Sequence, residues 1–352
     1  MTLSLRLYRC LNAGGELDAT NIFNDSSLLV SVITHLGLEH VDTLGHSITE
    51  IANAKAGIMK AGTPCVVSQQ SFPGAAEALQ NEAYARNAIY LAANDFVDVQ
   101  PTKTALFWAG NSLPESSTSA SSQAASPGTP HLRTECSISM GGSLYENIEL
   151  GIAGAHQCDN ASAALAALHT MRERCGLPLC TDESVIRDGL ANAHLSGRLE
   201  AQLVGGCLHV LDGAHTSSAA AALANTLRDL GRRIFLLLAM SSDKDVEGFI
   251  SELRFLPLDG IVCTEVDVGG SSTRSMSAKR IAQAIRDAKL EVAVEVEHEF
   301  RDALSAAQRL AKAGGHHAMV CISGSMHAVA AFHSLIGPSG KLEVTVARKQ
   351  WG

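Results

Sequence analysis

"SVITHLGLEHVDTLGHSITEIANAKAGIMKAGTPCVV", residues 31–67, decides how this chain folds. An apolar run over residues 28–34 ends in a polar loop that holds Glu39, His40 and Asp42. Next comes a segment with Ile48, Ile51, Ala52, Ala56 and Met59 at helical spacing and Lys55 among them. A second apolar run, residues 65–67, begins behind Pro64. Apolar residues three and four apart line one face of a helix, while short apolar runs bounded by turn residues are strands. The stretch reads strand–helix–strand, the repeating unit of a parallel sheet covered by helices.

The same alternation extends along the chain. Residues 73–86 predict a helix, 88–92 a strand, 148–152 a strand, and 159–172 and 182–193 helices, with Asp159 or Asn160 placed to cap the first turn of its helix. Between them, residues 111–130 (NSLPESSTSASSQAASPGTP) offer almost nothing apolar to bury and read as a disordered insertion. After HLSGRLEAQ the pattern restarts. Strands are expected at 208–211, 234–239, 260–264, 292–296 and 318–322, each followed by a helix: 217–230, 246–253, 277–288, 300–313 and 327–336. About 150 residues in this order make a doubly wound α/β domain. Two domains follow, residues 1–196 and 197–352, meeting at Ser196-Gly197-Arg198.

Bulk properties narrow the function. The chain has 352 residues, a net charge of −9, 46% hydrophobic and 4% aromatic residues. That acidic balance argues against general nucleic-acid binding. No apolar run nears the roughly 20 residues that span a bilayer, and the N-terminus lacks a secretory signal pattern. Nine cysteines without a C-x-x-C pair read as thiols in a reducing compartment, so a soluble, non-secreted protein is expected.

Ligands of open α/β sheets bind beyond the carboxyl ends of the strands. Five loops on that edge are rich in ionisable or hydroxyl residues: 34–47, 212–216 (DGAHT), 241–245 (SSDKD), 264–273 and 323–325 (SGS).

LDATN (17–21), LGLEHVDTLG, AKAGIMKAG, GAHQCDNA (154–161), SGRLE and LDGAHTSSA occur in that order. Together they resemble the landmarks of the dihydrofolate synthase and folylpolyglutamate synthase family, within the Mur ligase superfamily. Glu39 before His40, the alanine before Lys55, and the MSSDKD and TEVD loops are more similar to the plant-type dihydrofolate synthase branch. The resemblance implies a Mur-ligase central ATPase domain followed by a Rossmann-like C-terminal domain. It also implies ATP and Mg2+ as cofactors, and L-glutamate with dihydropteroate or a folate as small-molecule substrates. Such a reaction passes the γ-phosphate of ATP to a carboxylate, and the amine of glutamate attacks the acyl phosphate. Members are usually monomeric, and a cytoplasmic or mitochondrial location follows.

By the same resemblance, His40 matches a magnesium ligand and Lys55 the lysine that the family carbamylates. Arg198 and Asp212 match residues that reach across the domain cleft to the nucleotide, and His215 lies near the reacting groups. Gln157 and Asn160 match a segment close to the nucleotide base, and Ser325 stands where glutamate contact is possible. Read from the residues alone, Lys55 is a snorkelling lysine, His40 a loop histidine and Ser325 part of a turn.

The chain also departs from the family. No G-x-x-x-x-G-K-[ST] phosphate loop occurs; the nearest string, at 337–341, is followed by Leu342. Cys10 stands where a glutamate ligand is expected, and Glu16 replaces an arginine before LDATN. Residues 1–12 do not resemble the family, so a truncated central domain is expected. Two readings follow: a folate-pathway ligase, or a member without the phosphate loop that acts at most as a binding module.

Overall fold

The computed structural model describes residues 21, 28–38, 41–109, 128–175 and 182–337. They sort into two compact units.

The first unit holds Met1–Thr102, Glu135–Glu149 and His156–Ala191. Its elements run β1 (Ser31–Ile33), α1 (Val41–Leu44), α2 (Ile48–Lys55), β2 (Pro64–Val67), α3 (Ala75–Ala85) and β3 (Ile89–Ala92). Then come β4 (Val97–Ala109) and β5 (Thr129–Met140), each divided between the two units, followed by β6 (Ser143–Leu150), α4 (Gln157–Cys175) and α5 (Glu183–Ala191). Strands β1, β2 and β3 pair in parallel, with Ser31 opposite Cys65 and Cys65 opposite Tyr90. Ile33, Leu36, Ala52, Ala56, Met59, Cys65, Val67 and Leu79 form its core. Helix α2 starts at a capping box: the Ser47 hydroxyl accepts from the Glu50 amide at 3.2 Å, and the Glu50 carboxylate accepts from the Ser47 amide at 3.2 Å. The strand–helix–strand reading of the opening stretch therefore holds.

Strands β4, β5 and β6 form a separate three-stranded sheet that the sequence reading did not anticipate. Its buried row on β5 is Pro130, Leu132, Thr134, Cys136 and Ile138, so polar and apolar residues mix where alternation would have been diagnostic. Thr129 and Pro130 belong to β5, which corrects the end of the expected insertion; residues 111–127 lie outside the described residues. Strands β5 and β6 are joined by Gly141-Gly142 at φ 58° and 79°, a two-residue turn that glycine alone adopts without strain. Neither Asp159 nor Asn160 caps α4, because the helix already begins at Gln157.

The second unit holds Lys103–Thr134, Leu150–Ala155 and Asn192–Gly352, so the main break falls at Ala191/Asn192 and two earlier segments group with the C-terminal part. Its elements are β7 (Glu200–Val204), β8 (Cys207–Leu211), α6 (Ser217–Asp229), β9 (Arg233–Leu238), α7 (Val246–Leu253) and β10 (Leu258–Cys263). They continue as α8 (Ala278–Asp287), β11 (Val294–Val296), α9 (Phe300–Ala313), β12 (Ala318–Ser323) and α10 (Met326–Ile336). The six-stranded sheet has the order β11-β10-β9-β12-β8-β7, with only β7 antiparallel.

Period-two alternation on the central strand explains the layering. Ile234, Leu236 and Leu238 of β9 pack with Leu223, Leu227, Phe249, Ile250, Ile281 and Ile285 from α6, α7 and α8. Phe235 and Leu237 face the other way, onto Leu304 and Ala307 of α9 and Phe332 of α10. The sheet is thus doubly wound, as expected. Strand β7 was missed because an edge strand reading Glu-Ala-Gln-Leu-Val carries little apolar signal.

Strand order makes the crevice. After β9 the chain moves outward through β10 to β11, then returns with β12 between β9 and β8. Loops leaving neighbouring strands β8, β12 and β9 therefore diverge at their carboxyl ends, the usual ligand position in such sheets.

Candidate active site

In the second unit, three segments converge at the carboxyl ends of β8 and β12. The turn 197–199 meets the β8–α6 loop where the Gly213 amide donates to the Gly197 carbonyl at 2.9 Å. The β12–α10 loop joins where the Gly324 amide donates to the Ala214 carbonyl at 3.0 Å. Arg198, Asp212, His215 and Ser325 are thereby brought together.

Asp212 is the anchor. Its Oδ2 accepts from the Leu199 amide and its Oδ1 from the Ala214 amide, both at 2.9 Å. Burial pushes this carboxyl above the ordinary aspartate value, opposed by those two amides and by Arg198 and His215 nearby. These two bonds clamp two loops to each other.

Arg198 is half-buried and follows Gly197 at φ +70°. Its Nη1 donates to the Gly197 carbonyl at 3.3 Å and to Met326 Sδ at 3.4 Å. A guanidinium presents five donors in a planar fork suited to phosphate or carboxylate oxygens, and one nitrogen is engaged here.

His215 Nδ1 lies 2.9 Å from the Gly213 carbonyl. A carbonyl only accepts, so Nδ1 carries a proton, and in the neutral ring Nε2 is the nitrogen with a lone pair. Such a nitrogen can take a proton from an amine that is about to attack. Ser325, by contrast, caps α10: its hydroxyl accepts from the Ala328 amide at 3.1 Å and is buried. That matches the turn reading rather than an open contact.

Glu200 was not singled out from the sequence, though it ends SGRLE. Its Oε2 accepts from Gly197 N at 3.0 Å and Ser196 Oγ at 2.8 Å, and lies 3.2 Å from His333 Nε2. The carboxyl is held below the usual glutamate range: burial raises it, but the donors Ser196, Gln202 and Gly197 and the nearby His333 outweigh that. The turn that presents Arg198 is therefore gripped by two carboxylates, Glu200 on one side and Asp212 on the other.

In the first unit, Asn21 Nδ2 donates to the Gly57 carbonyl at 3.1 Å, bringing the LDATN and AKAGI motifs into contact. Lys55 is the last residue of α2 and is half-buried. Asn160 Nδ2 donates to Gln157 Oε1 at 2.8 Å, so these two predicted residues meet on the first turn of α4. Beside them, the half-buried Asp159 carboxyl is raised by desolvation, an effect partly offset by His35. His35 Nε2 in turn lies 2.5 Å from Ser71 Oγ. His40, the expected magnesium ligand, lies outside the described residues. Among the described residues no group of three His, Cys, Asp or Glu side chains is placed to hold a metal ion.

Residues 197–326, which carry this convergence of loops, match the Mur ligase glutamate ligase domain. The chain is 29% identical over 304 residues to a dihydrofolate synthase/folylpolyglutamate synthase of Mycobacterium tuberculosis, covering 84% of this chain and 55% of the relative. It is 28% identical over 243 residues to the Bacillus subtilis enzyme of the same description, covering 68% and 49%. A solved M. tuberculosis folylpolyglutamate synthase complexed with ADP and AMPPCP superposes with a TM-score of 0.69 at 27% identity, over 92% of this chain and 66% of that one.

The chain is similar to dihydrofolate synthase/folylpolyglutamate synthases, and residues 197–326 match the Mur ligase glutamate ligase domain.

It spans about half the length of the curated relatives it matches. The bifunctional enzyme of Yersinia pestis, complexed with AMPPNP and a Mn ion, is similar at a TM-score of 0.66 and 25% identity, over 91% of this chain and 64% of that one. The α/β architecture is shared with that solved M. tuberculosis structure. Among the described residues no helix is long and apolar enough to cross a membrane.

Proposed function

We propose that this chain works in ATP-dependent amide formation, joining L-glutamate to dihydropteroate or to a folate through an acyl-phosphate intermediate. One observation carries the reading: the clamped turn 197–199 holds Arg198 on the same convergence of loops as His215, whose Nδ1 faces the Gly213 carbonyl and so leaves Nε2 as its other ring nitrogen. A cation suited to phosphate and a proton acceptor for an incoming amine are the two groups acyl transfer to glutamate needs from such a unit. ATP and Mg2+ are the cofactors in this reading. Gln157 and Asn160 would lie toward the nucleotide base, Lys55 would act as a carbamate, His40 would contribute to the metal and Ser325 would stand near glutamate. Residues 1–196 would act as the central ATPase domain and 197–352 as the glutamate ligase domain. The protein would be a monomer in the cytoplasm or mitochondrion, closest to the dihydrofolate synthase branch.

The test incubates the 352-residue chain with ATP, magnesium, L-glutamate and either dihydropteroate or tetrahydrofolate, and follows phosphate release and labelled-glutamate incorporation. Phosphate release that requires both glutamate and the pterin substrate supports the proposal. A second reading rests on the lack of a G-x-x-x-x-G-K-[ST] string, whose backbone amides, lysine and hydroxyl would hold the β- and γ-phosphates. Saturable ADP binding without turnover favours that binding module; neither binding nor turnover overturns both.

A further inference from the structure

Met326 is the first residue of α10 and is 40% exposed, yet its thioether lies against Gly197, Gly213 and Arg198. A Cβ added to Gly213 would overlap Met326 Sδ, and one added to Gly197 would lie 2.8 Å from Met326 Cε. The same Gly213 Cβ would come within 3.0 Å of Arg198 Nη1. Two glycines therefore form a notch that thioether and guanidinium share, and inside it Arg198 Nη1 donates to Met326 Sδ at 3.4 Å. The backbone beneath Met326 is fixed. Ser325 caps its helix, and Ala214 O accepts from both the Gly324 amide at 3.0 Å and the Ser323 hydroxyl at 3.4 Å. Glu200 and Asp212 fix the backbone of Arg198, but neither makes a hydrogen bond to its guanidinium.

We propose that Met326 is a positioning residue for Arg198: it orients the guanidinium by accepting from Nη1 in the Gly197–Gly213 notch, leaving Nε and Nη2 directed at a nucleotide phosphate. The proposal rests on the nucleotide role of Arg198 given above. An aliphatic side chain of equal volume would fill the notch without accepting the bond. The guanidinium would then lose its orientation while the fold stays intact.

The experiment measures the dissociation constant of fluorescently labelled ADP for the full chain and four variants, with thermal melting as a folding control. Met326→Leu should weaken binding about three- to tenfold, the range for one hydrogen bond from a charged donor to a weak acceptor. Met326→Gln, whose amide oxygen accepts, should restore it. In an Arg198→Ala background Met326→Leu should have no further effect, a result that a purely structural methionine would not produce. Unchanged affinity in Met326→Leu beside weakened affinity in Arg198→Ala overturns the positioning role alone. Unchanged affinity in Arg198→Ala, or no saturable ADP binding by the wild-type chain, overturns the nucleotide reading with it.

Discussion

Leu199 donates its amide to Asp212 Oδ2 at 2.9 Å while holding φ at +48°, so a buried β-carbon residue sits in left-handed backbone because a buried carboxylate requires it there. Left-handed backbone costs a non-glycine residue about 1–2 kcal/mol. Relief by Leu199→Gly would still be outweighed, since removing a buried leucine side chain costs about 2–5 kcal/mol. The leucine stays and the strain is held by the Asp212 bonds.

Asp212→Asn tests that clamp. An amide offers one accepting oxygen, so either the Leu199 or the Ala214 amide loses its partner inside the protein. A buried unsatisfied donor costs about 1–3 kcal/mol. Urea denaturation should show a loss of that size. A midpoint equal to wild type would mean that the carboxylate does not hold the turn.

His209 is fully buried; its Nδ1 lies 2.9 Å from the Cys207 carbonyl, and Gln308 Nε2 donates to its Nε2 at 3.1 Å. Desolvation lowers its pKa to about 4. The unfolded chain therefore binds a proton near the ordinary histidine value of 6.5 that the folded chain refuses until about 4. Stability from this group is complete above 6.5 and falls as pH drops through that window, by about 3 kcal/mol in all. Denaturation series at pH 7, 5.5 and 4 should show the decline, and His209→Leu should flatten it.

Leu236 occupies the centre of β9 with no exposed surface and packs under α6, α7 and α8. Leu236→Ala should destabilise the second unit by about 2–5 kcal/mol, from lost transfer energy and the cavity left behind. Calorimetric melting of that variant checks the size of the loss.

Lys55→Ala should abolish ligation if Lys55 acts as a carbamate, because an alanine supplies neither charge nor oxygen. Added short-chain carboxylic acids should restore part of the rate. Wild-type turnover in the variant would remove Lys55 from the chemistry.

Much of this molecule was legible without coordinates. Helices Val246–Leu253 and Phe300–Ala313 fall where the apolar spacing places them, because a buried face imposes its period directly on side-chain type. Runs such as Arg233–Leu238 announce a strand covered on both faces for the same reason. The β4–β6 sheet and the edge strand β7 were not legible. Their sequences mix Thr, Gln, Glu and Cys with apolar residues, and pairing between distant segments leaves no local mark. The site divides along the same line. Arg198, Asp212 and His215 could be named from SGRLE and LDGAH, since motif chemistry is written in neighbouring residues. That Asp212 clamps two backbones, that Glu200 grips the turn from the other side and that Met326 shares a notch with Arg198 could not be read there. The Leu199–Asp212 bond spans 13 positions and is closed by the pairing of β7 with β8. The Arg198–Met326 bond spans 128 and needs β12 beside β8. The short-range bonds of Glu200 depend on a turn whose shape these contacts set.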